Sequence, residues 1–354
     1  MRKKLLFGAL AMFMLGALCS CGDEKGSVDY ETTAASSEEK SEEAASVDED
    51  KTVEDASETE EASEAEEEGE DEENYETGDA SLDDPRNGDE IGEKELLVVS
   101  FGTSFNDSRR LTIGGIEAAL EKAYPEFSTR RAFTSQIIID HVKKRDNEVI
   151  DNVKEALDRA VANGVKTLVV VPTHLMNGLE YNDVVNEIAD YADAFEKLEI
   201  SEPLLTSDDD YKAVAEAITA DTKSYDDGET AICFMGHGTE AESNGVYAKM
   251  QQVLTDNGYE NYFVGTVEAT PSLDDVIAKV KESGKYKKVV LEPLMVVAGD
   301  HANNDMAGDE DDSWKSAFTK EGFTVECILE GLGQKEAIQK MYVDHAAKAV
   351  EKVK

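Results

Sequence analysis

Residues 93–354 predict an α/β fold of two similar halves, 93–226 and 227–354, each a mainly parallel sheet flanked by helices, with a pseudo-twofold between them and a cleft where they meet. Three observations carry that expectation. Short β-branched runs alternate with stretches of helical apolar spacing, the pattern of right-handed strand–helix–strand crossovers. Two strand endings each recur later in the chain. The acid that dominates the composition lies mostly ahead of this region and leaves an ordinary globular composition behind it.

The chain carries 79 acidic and 35 basic residues over 354 positions, a net charge of −44. A nucleic-acid binder that works by phosphate neutralisation is excluded on that ground. Residues 23–90 hold 30 Asp or Glu against 4 Lys or Arg, whereas 91–354 hold 49 against 28.

The N-terminus opens with Arg2, Lys3 and Lys4, followed by an apolar run to Leu18, so residues 1–20 read as a signal peptide too short to span a membrane. Leu18-Cys-Ser-Cys21 looks like a bacterial lipobox, which makes Cys21 the expected lipidated first residue of the mature chain. Residues 21–92 then form the expected acidic tether. Its Glu, Asp, Ser, Ala and Thr offer too little apolar surface to offset the entropy of ordering. These features predict an exported protein, lipid-anchored to the outer face of the bacterial cytoplasmic membrane.

In the globular region, runs rich in Val, Ile, Leu and aromatic residues predict strands at 96–101, 167–171, 231–235, 262–265, 288–291 and 324–329. Amphipathic spacing predicts helices at 107–123, 150–162, 181–195, 210–222, 273–285 and 334–353. Cys233 and Cys327 fall inside strands with no zinc-like spacing around them, and two buried thiols are expected. In a parallel sheet, ligands bind at the carboxyl ends of the strands.

The repeat selects residues at those ends. Val99-Ser-Phe-Gly-Thr103 is matched by Met235-Gly-His-Gly-Thr239, and Lys166 to Pro172 by Lys287 to Pro293. Six residues beyond each proline stands a glycine, Gly178 or Gly299, and two further on stand Glu180 and His301. A pseudo-twofold would turn both loops into one cleft and add His237 from the Gly-His-Gly turn. Two imidazoles and a carboxylate suit a divalent metal such as Co²⁺, Ni²⁺, Fe²⁺ or Zn²⁺ with exchangeable positions left over. Glu180 also reads as a first-turn acid favoured by the helix dipole.

Leu96-Leu-Val-Val-Ser-Phe-Gly-Thr-Ser104, Arg131-Ala-Phe-Thr-Ser135, Met176-Asn-Gly-Leu-Glu-Tyr181, Met235-Gly-His-Gly238 and Pro293-Leu-Met-Val-Val-Ala-Gly-Asp-His-Ala-Asn-Asn-Asp-Met306 together resemble the anaerobic sirohydrochlorin cobalt chelatase family. The resemblance covers nearly all of residues 95–350. It implies two chelatase-like halves similar to those of ferrochelatase and ATP-independent insertion of Co²⁺ into sirohydrochlorin during cobalamin synthesis. It also implies catalytic and metal-binding roles for His237, His301 and Glu180, which the repeat had singled out. No cofactor is expected beyond the substrate metal, Co²⁺ or else Fe²⁺ or Ni²⁺, and the absence of a Gly-rich phosphate loop agrees with ATP independence.

His237 is the expected general base, since an imidazole takes a proton near neutral pH and binds metal when neutral. His301, with Glu180 opposite, would hold the ion and hand it over. A polyanionic macrocycle calls for basic and polar contacts, for which Arg131, with Arg130 beside it, Ser100 and Thr103 are candidates. Asp300, Asp305 and Asp309 to Asp312 are candidates to draw cations toward His301, with a solvated loop the default reading of the run from Asp309. His174 is left open as a cleft or turn residue, and His141 and His345 are expected at the surface. A serine hydrolase using Ser100 or Ser104 lacks a nucleophile elbow. Because an exported chelatase is separated from a substrate made in the cytoplasm, a second reading stands beside the enzyme: a lipoprotein that binds metal or a metallated, haem-like tetrapyrrole for uptake without turnover. The expected partners are thus a tetrapyrrole, a divalent metal and, through the lipid, a membrane, with a homo-oligomer left open.

Overall fold

Strand β1 (Lys94–Ser100) buries every residue from Glu95 onward, as a strand covered on both faces must. It pairs in parallel with β2 (Ser128–Phe133) and β3 (Thr167–Pro172), setting Val98 beside Arg131 on one side and Val171 on the other. Strand β4 (Lys197–Ile200) closes this sheet in the order β2-β1-β3-β4. The second half repeats the plan with β5 (Thr230–Gly236), β6 (Tyr262–Thr266), β7 (Lys288–Pro293) and β8 (Thr324–Cys327), ordered β6-β5-β7-β8 and again wholly parallel. The computed structural model describes residues 77–89 and 91–354, all within one compact unit. The expected signal peptide, Cys21 and the tether to residue 76 lie outside the described residues.

The alternation of side chains across each strand sorts the core. Leu96 and Val98 of β1, Val169 and Val171 of β3, Ile232 and Phe234 of β5 and Val290 of β7 share one cluster that runs through both halves. Leu97 and Val99 face a separate cluster on the outer side of the first sheet. Ala231, Cys233 and Met235 do the same on the second, where Cys233 and Cys327 are free thiols.

In the first half lie α1 (Asn106–Leu111), α2 (Ile113–Ala123), α3 (Gln136–Asp146), α4 (Val153–Ala162), α5 (Leu179–Ala189) and α6 (Asp208–Asp221). In the second lie α7 (Gly245–Asp256), α8 (Leu273–Glu282), α9 (Trp314–Lys320) and α10 (Glu336–Lys352). The helix expected over 107–123 is broken at Thr112, whose hydroxyl donates back to the Ser108 carbonyl at 2.6 Å. The final helix crosses to the first half. Tyr342 Oη donates to the Thr173 carbonyl at 2.7 Å, and Tyr124 Oη donates to the Val343 carbonyl at 3.0 Å. His345, expected at the surface, is buried there instead, with Nε2 3.0 Å from Asp210 Oδ1.

The expected tether boundary at residue 92 also moves. Residues 77–89 lie against the first half: Asp107 N donates to the Thr77 carbonyl at 2.9 Å, and Asp83 is buried between two arginines. Arg109 Nε reaches Asp83 Oδ2 at 2.8 Å and Arg131 Nη1 reaches it at 2.6 Å. Composition marks this segment as part of an acidic spacer. One of its acids instead compensates buried cations, which accounts for its order.

Candidate metal centre

The turn after β5 is shaped by its two glycines. A Cβ on Gly236 would fall 2.1 Å from the Tyr247 ring, and Gly238 takes φ +98 with Ala269 N 2.9 Å from where its Cβ would be. Between them His237 is held by a contact of 2.8 Å from Nδ1 to the Gly238 carbonyl. A carbonyl only accepts, so Nδ1 carries the proton and the neutral ring keeps its lone pair on Nε2. Tyr247 accepts the Gly238 N–H at 3.3 Å and braces the turn.

His301 stands at the head of a π-helical turn, Ala302–Met306, a form that recurs at functional sites. Within it Asp305 Oδ2 lies 2.8 Å from His301 Nδ1, so a carboxylate fixes this ring in the same tautomer. Asn303 Nδ2 donates to the Gly299 carbonyl at 2.7 Å and Asn304 Nδ2 to Asp300 Oδ1 at 2.5 Å, tying the turn together. The two imidazoles meet edge to face with centroids 4.5 Å apart.

The third member of the group is Glu268, from the loop after β6. Its backbone N–H donates to the His237 carbonyl at 3.0 Å, and its Oε1 is 3.5 Å from His237 Nε2. One ligand atom each from His237, Glu268 and His301 lie within 4.8 Å of one another. Bonds of about 2.0–2.1 Å to N and O ligands imply tetrahedral edges of roughly 3.3 Å, so the group is wider than a closed structural site. Its side chains are also partly open to solvent: 45% for His237, 37% for Glu268 and 22% for His301. Such a set can hold a divalent ion loosely and let it go.

Glu180, expected in this set, is outside the group of three. It opens α5, is 52% exposed, and has Oε2 3.6 Å from His174 Nε2. It still belongs to the same neighbourhood. Gly178 approaches Ser243, beyond the His237 turn, at 3.4 Å from an added Cβ, and the charges of Glu180 and Glu268 both act on the Tyr247 hydroxyl. His174 is buried in the loop after β3, and burial pushes its pKa down to about 4.

The candidate substrate contacts fare differently. Arg131 is fully buried, with both Glu117 oxygens and both Asp83 oxygens taking up its guanidinium, so it is not available to a macrocycle. Arg130 is likewise buried and pairs with Asp151 at 3.2 Å. Ser100 is buried and accepts from the Thr173 hydroxyl at 2.7 Å. Thr103, also buried, accepts from Phe105 N at 3.2 Å, and its Oγ1 would lie 3.0 Å from a Cβ on Gly299. Thr103 therefore seats the His301 loop against the first half. The acidic run beyond it is solvated, with Asp309 pairing with Lys315 and Asp311 with Lys320.

Sequence reasoning missed Glu268 because the repeat offers it no counterpart. Its signal was positional: an acid just beyond Gly265-Thr266, at the carboxyl end of a strand, where ligands gather. Asp305 was read as a source of negative potential and in fact orients His301.

Residues 94–351 match the family model described as Cobalt chelatase (CbiK). A sirohydrochlorin cobaltochelatase of Salmonella typhimurium (strain LT2) is 37% identical over 258 residues, covering 73% of this chain and 97% of the relative. The sirohydrochlorin cobaltochelatase CbiKC of Nitratidesulfovibrio vulgaris (strain Hildenborough) is 28% identical over 260 residues, covering 73% and 91%. Among solved structures, SirB from Bacillus subtilis with Fe3+ superposes with a TM-score of 0.52 at 12% identity over 74% of this chain and 98% of that one, a likeness of fold. With two parallel sheets in matching order and a family match spanning both of them, the chain belongs to the CbiK cobalt chelatase family.

Proposed function

We propose that this protein inserts a divalent metal, Co²⁺ first among them, into sirohydrochlorin, releasing two protons and using no nucleotide. The reading is supported by family membership and by the relatives whose names state that activity. The single observation that carries it is the pairing of two imidazoles with Nδ1 held by oxygen acceptors, beside a carboxylate and open to solvent. His237 and His301 hold the ion through Nε2 while Glu268 offsets its charge. Two pyrrole N–H bonds break as the four macrocycle nitrogens take the ion and its bonds to the two imidazoles are released. One proton goes to the His237 Nε2 lone pair that the ion vacates, and Glu268 receives the other. Mixing the protein with sirohydrochlorin and Co²⁺ and following the visible spectrum tests this. Many equivalents metallated per protein is the expected result, and arrest after one equivalent would identify a carrier instead.

The same proposal locates the enzyme on the outer face of the bacterial cytoplasmic membrane, held by a lipid on Cys21. The charged start, apolar run and lipobox of residues 1–21 support this. Cys21→Ala is expected to move the protein from the membrane to the soluble fraction on fractionation. Retention of the variant in the membrane would contradict lipid anchoring at that residue.

A further inference from the structure

We infer that His174 and Glu180 form a second metal-holding pair, at the carboxyl end of the first sheet, which takes up Co²⁺ ahead of the His237, Glu268 and His301 group. The inference deepens the chelatase reading and rests on it only for where the ion goes next.

His174 is nine-tenths buried, yet neither ring nitrogen has a hydrogen-bond partner. Buried polar groups are ordinarily satisfied, so an imidazole with two idle nitrogens in a closed environment points to a ligand. Its contact with Glu180 is too long for a hydrogen bond at 3.6 Å between Nε2 and Oε2. The same separation is close to the roughly 3.3 Å edge of a tetrahedral shell with bonds of about 2.0–2.1 Å. One ion between the two atoms would satisfy the His174 ring, with water filling the remaining positions. Two protein ligands hold a metal weakly, as a waypoint must.

Placement agrees with that role. Both residues follow β3, at the carboxyl end of the first sheet, and the Tyr181 ring stands edge-on to His174 with centroids 6.4 Å apart. Glu180 is half exposed and gives the ion its route in. The approach of Gly178 to Ser243, with Glu180 and Glu268 both acting on Tyr247, sets the pair near the turn that carries His237.

Crystals of the protein soaked in CoCl₂ without tetrapyrrole, measured at the cobalt absorption edge, test the site apart from the activity. Two anomalous peaks are expected, one at His237, Glu268 and His301 and one between His174 Nε2 and Glu180 Oε2. The second should vanish in His174→Gln while the first remains. In solution the same variant should raise the KM for Co²⁺ roughly tenfold, while kcat falls much less. A single peak at the three-residue group in the unsubstituted protein, or an unchanged KM in His174→Gln, would overturn the inference. A second peak in a protein that never metallates sirohydrochlorin would keep the site and remove the function proposed above.

Discussion

Asp305 Oδ2 lies 2.8 Å from His301 Nδ1, and that hydrogen bond decides which ring nitrogen keeps its lone pair. An amide in its place offers N–H as readily as C=O, so Asp305→Asn weakens the tautomer and the ring orientation without altering the ligand. Changes of this kind beside metal ligands cost about 10–100-fold in affinity or activity. Asp305→Asn is therefore expected to raise the KM for Co²⁺ within that range in the insertion assay, and an unchanged value would deny Asp305 its orienting role. His301 itself was legible in the sequence because a repeated glycine pointed to it. Asp305 was visible only as one acid among many, since nothing in spacing distinguishes an orienting carboxylate from a solvated one.

At the scale of elements, most of the architecture could be read, with two informative failures. Asn152, Ser207 and Ser272 each start a helix with a reciprocal capping box, closed by Glu155, Asp210 and Asp275. The six runs expected as strands all became strands. Strand β2 was missed because Arg130-Arg131 resembles a solvated surface, whereas both arginines are buried against carboxylates. Strand β4 was missed because four residues at a sheet edge carry little periodic signal. Buried charge also gives β1 a pH signature. Glu95 is enclosed with no hydrogen-bond partner on either oxygen, and burial raises its pKa to about 7 against the pull of Arg130, with Asp151 adding to the rise. The folded chain thus keeps a proton that the unfolded chain gives up at the ordinary carboxylate value. This stabilisation is complete below that value and is lost as pH climbs toward 7. Glu95→Gln is expected to abolish that decline and to exceed the parent in unfolding free energy by on the order of 2 kcal/mol at pH 8. Parallel urea titrations at pH 5 and pH 8 measure it, and equal pH slopes for the two proteins would contradict it.

Across the whole molecule, the halves recognised in the sequence are not independent bodies. The last helix of the chain covers the first sheet, and Lys335 of the second half pairs with Asp221 of α6 and with Glu292 of β7 at 2.7 Å. The N-terminal strap closes the first half through Asp83, whose carboxylate stays below its ordinary range because Arg131 and Arg109 outweigh the cost of its burial. Taking one partner from a buried ion network costs about 3–5 kcal/mol. Asp83→Ala should lose that much in urea unfolding, and a loss under about 1 kcal/mol would show that the strap only decorates the surface. None of this could be read from composition, which assigned residues 77–92 to a spacer.

His237, Glu268 and His301 are proposed to carry the ion into the macrocycle, and Glu268 is the member that the sequence repeat passed over. The rate of cobalt insertion into sirohydrochlorin at saturating metal, measured for Glu268→Gln beside the unsubstituted protein, tests that claim most directly. Loss of a carboxylate that offsets the ion's charge and accepts a proton should lower the rate by about 10²-fold or more. A Glu268→Gln protein that inserts cobalt at the original rate would contradict the account.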